Sequence, residues 1–150
     1  MAVLSGEMKR LVAEQQLGFV ATVNADGTPN LSPKGTLSVW DDEHLMFVDI
    51  RSRQTAANLE RNAAVEVNVV DPLVRKGYRF KGLAEVHRDG PVFERVTTER
   101  MSRGNDLKVQ SVVLIRVEHA TAVMSPAYDL GEDEPSIRAR WLHYWTRLWS

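Results

Sequence analysis

Asp49 to Leu59, DIRSRQTAANL, concentrates the residue types most able to do chemistry. A strand runs out at Asp49, Arg51 and Arg53 bracket Ser52, and a helix is expected to start at Ser52 and run to Asn62. The first turn of such a helix offers free N–H groups and the positive end of the helix dipole. Added to the hydroxyls of Ser52 and Thr55 and the guanidinium of Arg53, these are the parts of an anion site, and a phosphate monoester fits them. Helix capping by Ser52 accounts for the same serine without any ligand. A second group is Ser32-Pro33-Lys34-Gly35-Thr36. Ser32, Lys34 and Thr36 share one strand face, and Gly35 lets a flat ligand approach the backbone. A lysine on a strand face is ordinarily a solvated charge. Arg79 and Lys81 project together from the segment Gly77–Gly82, where the plainer reading is the polar side of a half-exposed strand.

Other chemistry is excluded. The chain has no cysteine, so thiolate nucleophiles, disulfides, iron–sulfur clusters and Cys-based zinc sites are absent. His44, His87, His119 and His143 lack metal-ligand spacing, and no nucleophile elbow, Walker A or GxGxxG pattern occurs. Neither a catalytic residue nor a metal ligand is therefore assigned. Nineteen basic against twenty acidic residues leave a net charge of −1, which gives no broad footprint for nucleic acid. No stretch reads as a signal peptide or a membrane span, so a soluble cytoplasmic protein is expected.

The elements that position these residues follow from the apolar periodicity. A length of 150 residues with 43% hydrophobic and 26% charged residues suits one globular domain, 1–150. Ser5 to Gln16 reads as an amphipathic helix capped by Ser5 and stopped by Gly18. Strands are expected at Phe19–Val23, Thr28–Trp40, Leu45–Ile50, around Val65–Val69, at Tyr78–His87 and at Gln110–Met124. Asn24-Ala-Asp-Gly27 is a hairpin turn, and Pro33 inside the second strand requires a sheet edge or a bulge. Pro91 sits in the first turn of a helix running to about Arg103. Residues 125–150 read as a Pro/Gly/Asp loop followed by a helix, Ser136–Leu148, whose Trp141, Trp145 and Trp149 form a stripe that needs burial. Six strands, hairpin turns and flanking helices point to a mainly β architecture: a six-stranded antiparallel barrel with Greek-key-type connections.

Taken in order, three segments resemble the flavin-binding split-barrel family of pyridoxamine 5'-phosphate oxidases and small FMN-binding proteins. They are LGFVATVNADGTPNLSPKG at Leu17–Gly35, LMFVDIRSRQTAANLERNAAVEVNV at Leu45–Val69 and YRFKGLAEVHRDGPVFE at Tyr78–Glu94. The resemblance spans about residues 5–124 and implies an FMN-dependent oxidoreductase of unassigned substrate. It puts the flavin ring against Ser32, Pro33, Lys34 and Gly35 and the strand end Val48, Asp49 and Ile50. It puts the phosphate at Ser52, Arg53, Gln54 and Thr55, where Gln54 stands in place of the lysine common in the family. Lys34 is then the cation beside the ring's N1–C2=O edge. The resemblance also implies a homodimer with flavins at the subunit interface, where Arg79, Lys81, Tyr128 and the C-terminal aromatics reach the partner's flavin. A reduced nicotinamide or another small redox molecule is the implied second partner, with no nucleic acid and no membrane. Two alternatives share the fold: a deazaflavin-dependent reductase, whose acidic tail would use Arg75, Lys76 and Arg79, and an electron carrier without its own substrate. Efficient oxidation of pyridoxamine phosphate is not expected, because the tail ends Arg147-Leu148-Trp149-Ser150 without the oxidases' closing Arg-Leu-x-Pro.

Overall fold

The computed structural model describes residues 2–51 and 53–150. Ser52, proposed above as cap and phosphate ligand, lies outside the described residues. Helix α1 (Gly6–Gln15) leads into β1 (Gly18–Val23), β2 (Pro29–Lys34), β3 (Ser38–Val39) and β4 (His44–Asp49). Helix α2 (Arg53–Arg61), β5 (Ala64–Asp71), β6 (Lys76–His87), α3 (Gly90–Ser102), β7 (Ser111–Met124) and α4 (Glu134–Trp149) follow. All pairings are antiparallel, in the order β2-β1-β5-β6-β7-β4-β3.

Among the described residues seven strands form where six were expected, because the stretch Thr28–Trp40 breaks after Lys34. Thr36 turns aside to bond the backbone of Val48, accepting from its N–H at 3.1 Å, and Leu37 is buried. β2 and β3 are three residues apart in the chain yet sit at opposite ends of the strand order. The sheet must therefore curl until its two margins approach each other without pairing, which produces the split barrel. Pro33 lies on the marginal strand β2, as a residue without an N–H requires.

The inward faces of the strands supply the core. Val20, Leu45, Phe47, Val67, Phe80 and Ile115 are fully buried there, and Leu4, Val12 and Leu59 pack on from α1 and α2. Each such side chain contributes about 1.5–3 kcal/mol on burial. Along β6, Lys81 faces His119 while Gly82 faces Val117, so β7 skips Glu118 in a bulge. The bulge keeps Phe80 and Ala120 in step with the core. A Cβ on Gly82 would lie 2.0 Å from the Arg116 carbonyl oxygen, so the two backbones touch.

Two helix ends differ from expectation. Ser5 does cap α1, accepting from the Met8 N–H at 3.2 Å. The helix stops at Gln16, which turns left-handed (φ 50°), and Gly18 is already in β1. α4 starts two residues early because the Asp133 carboxylate accepts from the Ser136 N–H at 2.8 Å. Its only buried residue is Ile137, and Trp145 and Trp149 remain 37% and 84% exposed. The last two tryptophans of the stripe are thus not docked on their own barrel. No helix among the described residues is long and apolar enough to cross a membrane.

Candidate functional site

The turn between β4 and α2 is organised by strand alternation and by a buried asparagine. Leu45 and Phe47 point into the barrel, and Asp49 continues the same face at 1% exposure. Val48 and Ile50 point the other way, into a second apolar cluster with Val96 of α3. Arg51 and Arg53 are exposed at the head of α2, whose first turn holds no acidic residue. Thr55 is buried there, and its hydroxyl has no hydrogen-bond partner. A helix head with no acid on its own first turn and an orphaned hydroxyl suits an anion.

Asn58, one turn along, fixes that head in place. It is fully buried. Its Nδ2 donates to Thr22 Oγ1 at 3.0 Å and to Asn24 Oδ1 at 2.9 Å. Its Oδ1 accepts from Gln54 Nε2 at 2.8 Å and Arg61 Nη2 at 2.9 Å. Gln54, which the resemblance places at the phosphate, thus spends one donor within the helix. The sequence reading assigned Asn58 no role. The available signal was an asparagine in a helix interior, where its propensity is poor and a specific partner is the usual reason.

Lys34 is not the solvated charge that strand lysines usually are. The residue is 6% exposed, and its ammonium lies 5.5 Å from the centre of the Phe47 ring. Burial lowers its pKa below the ordinary lysine value, and the Asp49 carboxylate opposes that shift. Lys34 and Asp49 are thus both buried, with Ser111 paired across from Asp49 on β7. Ser32, on the same face of β2, is paired in register with Val20, and Pro33 with Phe19 on the opposite face. Gly35 opens the turn after β2.

Arg79 and Lys81 are on the outer face of β6, away from Lys34. Arg79 Nε reaches Glu66 Oε1 at 3.0 Å and Lys81 Nζ reaches Glu66 Oε2 at 4.0 Å. Around them the outer face carries exposed Phe19, Leu31 and Leu83. The Arg75 guanidinium stacks 3.5 Å over the Trp141 ring, and the Lys76 ammonium lies 4.4 Å over Tyr128. Tyr128 in turn donates to the Val74 carbonyl at 2.6 Å. These contacts moor the C-terminal segment to the β5–β6 hairpin.

Comparison with known proteins gives one family and a shared fold. The family model for pyridoxamine 5'-phosphate oxidase matches residues 4–124. HupZ of Group A Streptococcus is 35% identical, with a TM-score of 0.74, over 81% of this chain and 94% of that one. An FMN-binding protein of Syntrophomonas wolfei has a TM-score of 0.67 at 14% identity over 81% and 87%. An F420 reductase has a TM-score of 0.60 at 24% identity over 78% and 98%. The heme storage protein HutZ of Vibrio cholerae has a TM-score of 0.62 at 22% identity over 81% and 94%.

Proposed function

Because the chain belongs to the pyridoxamine 5'-phosphate oxidase family, we propose that it is an FMN-binding oxidoreductase acting on a substrate other than that oxidase's own. The observation that carries this reading is the head of α2: an acid-free first turn, exposed Arg53 and the buried, unpartnered hydroxyl of Thr55. Arg53, Thr55 and N–H groups of the first turn would hold the phosphate, with Gln54 beside them. The ring would lie along Ser32–Gly35 and the end of β4, with Lys34 lending positive charge to its N1–C2=O edge. When bound, the cofactor supplies the hydride chemistry, and the protein supplies position and field.

A second copy of the chain completes the site in this reading. The exposed strip of Phe19, Leu31 and Leu83 is the surface it covers, which brings Arg79 and Lys81 towards the partner's cofactor. A reduced nicotinamide or a similar small molecule is the proposed electron partner. FMN is preferred to a deazaflavin because Arg75 and Lys76, two of the cations available to an acidic tail, are engaged by aromatic rings of the protein itself. The oxidase's own reaction is disfavoured because Arg138 and Arg140, the tail cations available to a substrate phosphate, face Glu134 at 3.9 Å and Glu132 at 2.8 Å.

The absorption spectrum of the purified protein and the mass of its released ligand test the proposal. A flavin spectrum and the mass of FMN are expected, with little peroxide formed from pyridoxamine phosphate. A deazaflavin or heme in the released fraction, or colourless protein that takes up no added FMN, overturns it.

A further inference from the structure

Asp49 presents a problem that the fold alone does not explain. Its carboxylate is 1% exposed, yet neither oxygen accepts a hydrogen bond. Ser111, its register partner, and Thr55 are also buried with orphaned hydroxyl oxygens, so nothing on β7 or α2 donates to it. A carboxylate in that position costs several kcal/mol unless a counter-charge stands nearby. Two cations supply the field. Lys34 enters from β2 and is itself 6% exposed, above the ring of Phe47 two residues before Asp49. Arg88 approaches from the end of β6, but it is half exposed and committed to Glu60 of α2, with its Nε 3.3 Å from Glu60 Oε2. Among the described residues Lys34 has no such acid in contact with it. Asp49 is the acid two residues along the strand from the ring beneath its ammonium.

We propose that Asp49 is a positioning residue: its buried carboxylate is the counter-charge that keeps the Lys34 ammonium protonated and held at the mouth of the barrel. Asp49 then acts on the cofactor through Lys34 and does not itself touch the ring. This rests on the reading that Lys34 faces the cofactor, but the two groups are buried in the protein without it. Each charge is tolerated inside because of the other, and removing one leaves the second uncompensated.

The experiment follows the Lys34 side chain by NMR in cofactor-free protein, its signal assigned by its loss in Lys34→Met. In Asp49→Asn the Lys34 titration midpoint is expected to fall by at least about one pH unit relative to wild type. Ser111→Ala, which removes a neighbouring hydroxyl but no charge, should leave it in place. An unchanged midpoint in Asp49→Asn overturns the proposal. Where Asp49→Asn fails to fold, the double variant Lys34→Met/Asp49→Asn is expected to recover cooperative unfolding, since both charges leave together; a double variant no more stable than the single one overturns the proposal too. Neither readout needs a flavin. Failure of the wild type to take up FMN therefore overturns the functional reading alone.

Discussion

Arg53 and Asn58 sit five residues apart on one helix and do opposite work. Arg53 is exposed, and in the proposed reading it serves the ligand. Arg53→Ala is expected to weaken FMN about tenfold more than riboflavin, which lacks the phosphate, as loss of one charge-assisted hydrogen bond implies. Parallel titrations with the two ligands check this, and equal losses would assign Arg53 to the fold. Asn58 faces inward and satisfies four partners. Asn58→Ala leaves Thr22, Asn24 and Gln54 short of partners and should cost about 2–4 kcal/mol in urea unfolding. The sequence suggests a role for Arg53 and hides that of Asn58. Arginines and hydroxyls around a helix head advertise an anion by type and spacing. Asn58 depends on Thr22 and Asn24, 36 and 34 residues upstream, which no local pattern connects to it. Asp49 lies between the two cases. Alternation from Leu45 and Phe47 puts it inside the barrel, whereas the family resemblance set it against the ring.

Strands were the most readable elements, because period-two alternation survives wherever one face meets the core. The limits of β1, β4, β6 and β7 fall within two residues of those expected. The break between β2 and β3 was not readable, since it comes from Thr36 and Leu37 finding partners on β4 and in the core. Polar and apolar residues still alternate through the turn, so the pattern conceals it. The contact of β6 with β7 at Gly82 shows how little room the closed sheet leaves. A methyl there meets the Arg116 carbonyl oxygen at 2.0 Å, and backbone cannot rotate out of the way as a side chain can. Gly82→Ala is expected to destabilise the fold by about 3 kcal/mol, read as a lower urea midpoint. Gly104→Ala is a poor control because its φ of +74° adds strain of its own. Gly6→Ala, at an open position with nothing within 4 Å, is the proper one and should change stability little.

At the scale of the whole molecule, exposed Phe19, Leu31 and Leu83 on the sheet and Trp145 and Trp149 on α4 are more apolar surface than a monomer needs. Light scattering at micromolar concentration is expected to give twice the chain mass, and Leu31→Lys should shift the equilibrium towards monomer. A monomeric wild type would leave the outer-face cations without a partner site. The curled sheet has another consequence, at the margin formed by β2. An open strand margin is a template on which unrelated chains can add as further strands, the first step of fibrous aggregation. Here Pro29 and Pro33 stand opposite Val23 and Phe19, two places either side of Leu31. Proline has no amide hydrogen to offer, so in this alternate set Leu31 alone keeps one. A strand arriving from outside would find carbonyls but almost no donors, and could not zip along the margin. The prolines within β2 thereby guard the chain while it folds.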